Sequence, residues 1–152
     1  MNTVFVDTSV LVAAEDTGQG ALHAAVLQWL DLLWRTRSGR TDSQSLCEFY
    51  EQVTTAAQPL PQGDARAAIR RYQTWTPWKT DAATLETAWA VQSRHQLAFG
   101  DCLAVACAQH SGCEQMLTLH LPHGAQFGGV AMVHPLHQAP LLTSAVHVPI
   151  LY

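Results

Sequence analysis

Apolar, β-rich runs that alternate with longer segments of helical period predict an α/β fold, with a central parallel sheet of four or five strands covered by helices on both faces. Three observations carry this expectation. Val4, Phe5 and Val6 are apolar on both faces, as in a buried parallel strand, and the chain passes at once through Asp7 into a helix-like run, Val10–Ala14. Gln115–Leu119 and Val130–Val133 are further candidate strands. Between them lie segments with apolar residues at helical spacing, above all Ala21–Arg37 and Asp81–His95, and strands separated by helices imply parallel pairing.

In chain order, the helix Ala21–Arg37 carries Leu22, Val26, Trp29, Leu30 and Leu33 on one stripe and ends at Ser38-Gly39. Arg40–Asp42 reads as a short second strand. Ser43 or Ser45 then caps a third helix running to about Ala57, with Leu46, Tyr50 and Val53 as its apolar stripe. Pro59 and Pro61 break the chain, a fourth helix runs from Gly63-Asp64 through Trp75, and Pro77 interrupts it. After the Asp81–His95 helix, Phe99-Gly100-Asp101 reads as a turn, and Cys102–Gln109 as a helix apolar all round and therefore buried. A loop containing Pro122, Gly124, Gly128 and Gly129 joins the last two strands. Residues 1–135 form one domain in this reading. Residues 136–152 form an apolar, Pro-containing tail expected to pack on that domain or on a partner.

A length of 152 residues suits one domain with a real core. Only 13% of residues are charged, about half the share usual for globular chains, so an apolar patch for a partner or a second copy is expected. The net charge of −4 argues against loose, charge-driven binding of nucleic acid. A local basic groove remains open to Arg35, Arg37 and Arg40, or to Arg66, Arg70 and Arg71, beside the plainer reading of solvated helix faces. No signal peptide and no membrane-spanning run is visible, so a cytoplasmic location with reduced cysteines is expected. Cys107, His110 and Cys113 match no zinc-ligand spacing and read as small residues of a buried helix.

Acids are the candidate chemistry. Asp7 stands where a buried strand hands over to a helix, at the carboxyl edge of the sheet, where open α/β folds bind ligands. Either it caps the helix, or Thr8 or Ser9 does and leaves its carboxylate free. Asp101 enters an otherwise apolar helix as a cap or as a metal ligand. Glu48 lies opposite the Leu46/Tyr50/Val53 stripe, on what pattern alone reads as a solvated face.

Taken together, these stretches resemble a known family. F-V-D-T-S-V-L-V at Phe5–Val12, S-Q-S-L-C-E-F-Y-E-Q-V-T-T at Ser43–Thr55 and L-A-F-G-D-C-L-A-V-A-C-A at Leu97–Ala108 are similar to the three acidic motifs of PIN-domain ribonucleases, in the right order. Met116–Thr118 and His123–Pro135 resemble that family's last strands and the loop between them, and the nearest subgroup is the VapC-type toxins. The resemblance implies a three-layer α/β/α domain and a metal-dependent endoribonuclease that hydrolyses RNA phosphodiesters. Asp7, Glu48 and Asp101 would then hold Mg²⁺ or Mn²⁺. Thr8, Ser9 and Thr118 would orient carboxylates or water. It also implies a homodimer and a small antitoxin protein as partner. One departure stands out: Leu119 and His120 occupy the stretch where the family carries a further acid. His120 would keep a site held by three acids, shift it toward Mn²⁺, serve as a general acid, or mark a weakened or inactive RNA- or partner-binding protein.

Overall fold

The structure is a computed structural model, and it describes residues 2–140; most of the proposed tail, from Leu141 to Tyr152, lies outside the described residues. Its strands and helices follow in the order β1 (Val4–Val6), α1 (Thr8–Ala13), α2 (Ala21–Thr36), β2 (Gly39–Arg40), α3 (Ser43–Thr55), α4 (Gln62–Tyr72), α5 (Ala82–His95), α6 (Phe99–His110), β3 (Gln115–Leu117), β4 (Gln126–Phe127) and β5 (Val130–Val133). The sheet order is β2-β1-β3-β5-β4, parallel throughout except for β4 against β5.

Strand periodicity builds the layers. Alternate side chains of β1 point to opposite faces, so Val4 and Val6 enter one core and Phe5 the other. The first core joins them to Val10, Leu11, Val26, Leu33, Phe49, Tyr72 and Trp75 from the α1–α4 side. The second joins Phe5 to Ala88, Val91, Val105 and Cys107 of α5 and α6 and to Met116 and Met132. The result is the three-layer α/β/α arrangement, with the sheet buried on both faces.

The differences from the sequence reading have identifiable causes. Phe99-Gly100-Asp101 is not a turn: α6 begins at Phe99, and Asp101 lies in its first turn. Glycine in a first turn costs little, because the N–H groups there lack helical partners in any case. The cap of α3 is Asp42 rather than Ser43 or Ser45, with its carboxylate accepting from the Ser45 amide. The second strand is Gly39–Arg40, because Gly39 and Arg40 pair with Val4 and Phe5 while Asp42 already belongs to the helix start. The fourth helix ends at Tyr72, and a 3-10 turn, Gln73–Trp75, completes the segment. The predicted strand at 115–119 stops at Leu117, where the chain turns toward the carboxyl edge. The predicted loop hides a hairpin: Gly128 and Gly129 have φ of 56° and 80°, the left-handed pair of a tight two-residue turn between β4 and β5.

A Cβ on Gly128 would also lie 3.0 Å from the Gln109 side chain and 3.4 Å from Val105. Gly128→Ala is therefore expected to cost about 1–2 kcal/mol. Urea unfolding would measure this, and an unchanged midpoint would show that the hairpin refolds around alanine. Of the described tail residues, Pro140 is buried and the Gln138 carbonyl accepts from Trp29 Nε1 at 2.8 Å, while Leu136, His137 and Ala139 are exposed.

Candidate functional site

The carboxyl ends of parallel β1, β2 and β3 share one edge of the sheet. α6 runs back against the strands to feed β3, so its N-terminus returns to that same edge. A cavity of about 180 Å³ opens there, lined by Asp7, Thr8 and Ser9, by Asp42, Ser45 and Glu48, by Asp101, and by His120 among others. Each sequence-predicted acid therefore reaches one cavity from a different element. Thr118 is fully buried behind it, and its hydroxyl accepts from the His120 amide at 3.2 Å.

Asp7 caps α1 and also lines the cavity, so the two sequence readings are not exclusive. Its Oδ1 accepts from the Ser9 amide at 2.9 Å, from the Ser9 hydroxyl and, at 3.4 Å, from the Val10 amide. Ser9 Oγ in turn accepts from the Leu119 amide at 3.0 Å, which ties the start of α1 to the loop carrying His120. Asp7 is 5% exposed, and this burial pushes its pKa above the usual carboxylate range, against the lowering effect of the Ser9 and Thr118 hydroxyls and of His120.

Glu48 is exposed but held from two sides. The Thr8 hydroxyl donates to its Oε1 at 3.0 Å, and Gln44 Nε2 donates to its Oε2 at 3.3 Å. The apparently solvated face of α3 is thus the wall of the cavity. Asp101 is half-buried in the first turn of α6.

Sequence reasoning missed Asp42. It is 1% exposed, its Oδ1 accepts from the Ser45 amide at 3.3 Å and its Oδ2 from the Cys107 thiol at 3.6 Å. Burial raises its pKa, against the lowering effect of the Ser45 hydroxyl and amide and of the Cys107 thiol. The available signal was local: Asp three residues ahead of Ser45, before an apolar helical stripe, has the spacing of an N-cap.

The arginine groups do not join the acids. Arg35 pairs with Asp31 at 3.0 Å on the surface of α2, Arg37 ends that helix, and Arg40 donates to the Arg37 and Gly39 carbonyls. α2 leads into the start of β2, so Arg35 and Arg37 sit toward the amino edge of the sheet, away from the cavity. Arg66 and Arg71 of α4 lie over the Tyr50 and Trp34 rings. Among the described residues the one ion pair is Asp31–Arg35, so no Lys or Arg neutralises a cavity carboxylate.

Uncompensated carboxylates beside a low-dielectric wall favour a cation, and an all-oxygen set of acid ligands suits a hard one. Among the described residues no three His, Cys, Asp or Glu are grouped so that they could hold a metal ion as they stand. No helix among the described residues is long and apolar enough to cross a membrane.

A family model described as PIN domain matches residues 4–119. No curated protein matches the chain. Among solved structures, the chain is similar to VapC20 of Mycobacterium tuberculosis, described as a sarcin-ricin loop cleaving toxin, at 24% identity and a TM-score of 0.61, over 85% of this chain and 99% of that one. It is similar to a toxin–antitoxin complex from Klebsiella pneumoniae, at 16% identity and a TM-score of 0.64, over 88% and 98% of the two chains. It is also similar to VapBC2 of Rickettsia felis bound to a promoter DNA fragment, at 10% identity and a TM-score of 0.61, over 87% and 98%. At such identities the likeness is one of fold.

Proposed function

Because this chain belongs to the PIN-domain family, we propose that it is a divalent-metal-dependent endoribonuclease, acting as the toxin of a toxin–antitoxin pair. One observation carries the reading: Asp7, Glu48 and Asp101, from three separate stretches, line one cavity with no Lys or Arg among the described residues to neutralise them. The similarity to toxin–antitoxin complexes supports a small antitoxin protein as partner. The low charge of the chain is consistent with a homodimer.

The donor set fits Mg²⁺ or Mn²⁺ by its chemistry. Mg²⁺ keeps several waters and takes one or two protein carboxylates together with phosphate oxygens, so an open group of acids is a suitable host. Asp7, Glu48 and Asp101 would hold the ion. Bound there, it would lower the pKa of an attacking water and neutralise charge on the scissile phosphate. The chain's own groups do the positioning. Thr8 and Gln44 fix the Glu48 carboxylate, and Ser9 fixes Asp7 while holding the Leu119 backbone. In this reading the His120 imidazole at the cavity wall gives a proton to the departing sugar oxygen.

The test is cleavage of structured RNA by purified protein in Mg²⁺ or Mn²⁺. Glu48→Gln should lower the rate about a hundredfold, and a chelator should stop it. His120 in place of an acid favours a second reading, a PIN fold that binds RNA or a partner without cleaving. Metal-dependent cleavage lost in Glu48→Gln would exclude that alternative, and no cleavage in either metal would sink the nuclease reading.

A further inference from the structure

We propose that Asp42 is the fourth carboxylate of the cation site, taking the part that His120 cannot play in the loop after β3. This rests on the reading of the cavity as a divalent-cation site. Asp7 and Asp42 are built alike. Each follows one of two adjacent parallel strands, β1 or β2, and each caps the helix that leads away. Each spends Oδ1 on helix amides, is at least nine-tenths buried, and lines the same cavity.

Among the described residues no Lys or Arg pairs with the buried Asp42 carboxyl. Among the described residues, Oδ1 serves the Ser45 amide, the Ser45 hydroxyl also faces the carboxylate, and Oδ2 meets the Cys107 thiol, a weak donor at 3.6 Å. A helix cap alone needs no carboxylate, since serine and asparagine cap as well as aspartate. Nothing in the cap calls for a second carboxyl group on the cavity that Glu48 already lines. A divalent cation in the cavity explains it, by joining Asp42 to Asp7, Glu48 and Asp101. The acid is then drawn from the β2 side of the site instead of the β3 side.

The backbone around Asp42 is braced for such a part. The Thr41 carbonyl accepts from the Trp78 amide, and the Ser43 amide donates to the Trp78 carbonyl, each at 3.0 Å. The Thr41 hydroxyl donates to the Val6 carbonyl at 2.9 Å, which fixes the two carboxylate-bearing turns against each other.

The experiment is calorimetric titration of Mn²⁺ into the whole protein without RNA, on wild type, Asp42→Ser, Asp42→Asn and Asp42→Ser combined with His120→Asp. Both single variants keep a capping oxygen, and melting in chelator checks their folding. The expected result is Mn²⁺ affinity about tenfold or more weaker in each single variant. Recovery is expected when His120→Asp returns an acid from the β3 side, a rescue that a purely structural role would not give. Wild-type affinity in both folded single variants would overturn the assignment of Asp42 and leave the nuclease reading standing. Absence of Mn²⁺ binding by the wild type at millimolar concentration would overturn the cation site itself, and this inference with it.

Discussion

Asp7→Asn is expected to lower RNA cleavage about a thousandfold and, in chelator, to raise the melting temperature. Both effects follow from one carboxylate. Asparagine keeps an oxygen for the Ser9 and Val10 amides, so α1 stays capped. What is lost is a negative charge that its surroundings disfavour, since burial sets the folded pKa of Asp7 above its ordinary value of 3.8. A carboxyl with a raised folded pKa binds protons more readily in the native state. Its contribution to stability is full below the ordinary value and is lost as pH rises through the raised one. The stability gained by Asp7→Asn should therefore be largest near neutral pH and shrink toward about pH 4. Mn²⁺ should stabilise the wild type and leave the variant unmoved, because only the wild type gains a bound ligand. Undiminished cleavage by Asp7→Asn would reduce Asp7 to a helix cap and remove it from the chemistry.

Gly39→Ala is expected to destabilise the protein by about 3 kcal/mol, lowering the melting temperature by about 6–12 °C. The cause is the Trp75 indole. A Cβ on Gly39 would lie 2.4 to 2.7 Å from three of its ring atoms. Trp75 cannot retreat, because it is 3% exposed and packed against Trp34 at 4.5 Å and Tyr72 at 5.1 Å between ring centroids. Gly39 also pairs with Val4, so relief by backbone movement would pull β2 from β1 and shift the Asp42 turn. Trp75→Phe should relieve part of the clash. It also removes an indole N–H that is buried without a hydrogen-bond partner among the described residues. A double-mutant cycle would measure the coupling, and a value near zero would mean that the aromatic cluster slides to admit alanine.

Much of the site was legible because local chemistry and chain position coincide there. Val4–Val6 followed by Asp7 states strand, edge and cap within a few residues, and the structure places them so. Glu48 and Asp101 were legible only through their motifs. Amphipathic pattern alone assigns Glu48 to solvent, because a wall of an open cavity and a solvated face have the same polarity in sequence. Asp42 was hidden for a different reason. Two serines beside it are equally good caps, and only the hydrogen bond to the Ser45 amide selects among them. The arginines stand apart from the acids, because nearness in sequence to β2 says nothing about which edge of the sheet they reach.

By itself the sequence determined the layers and the strand–Asp–helix turn, and it singled out three of the acids that line the cavity. These depend on periodicity and on short-range order, which a chain carries wherever it folds. The tertiary structure alone decided which acids share a cavity, that Asp42 lines it with them, that Thr8 and Gln44 hold Glu48, and that no Lys or Arg among the described residues neutralises the group. Those facts depend on parallel pairing, which brings the carboxyl ends of β1, β2 and β3 to one edge, and on α6 running back to meet them. Contacts between residues 40 to 110 positions apart are set by that topology, and no local pattern encodes them.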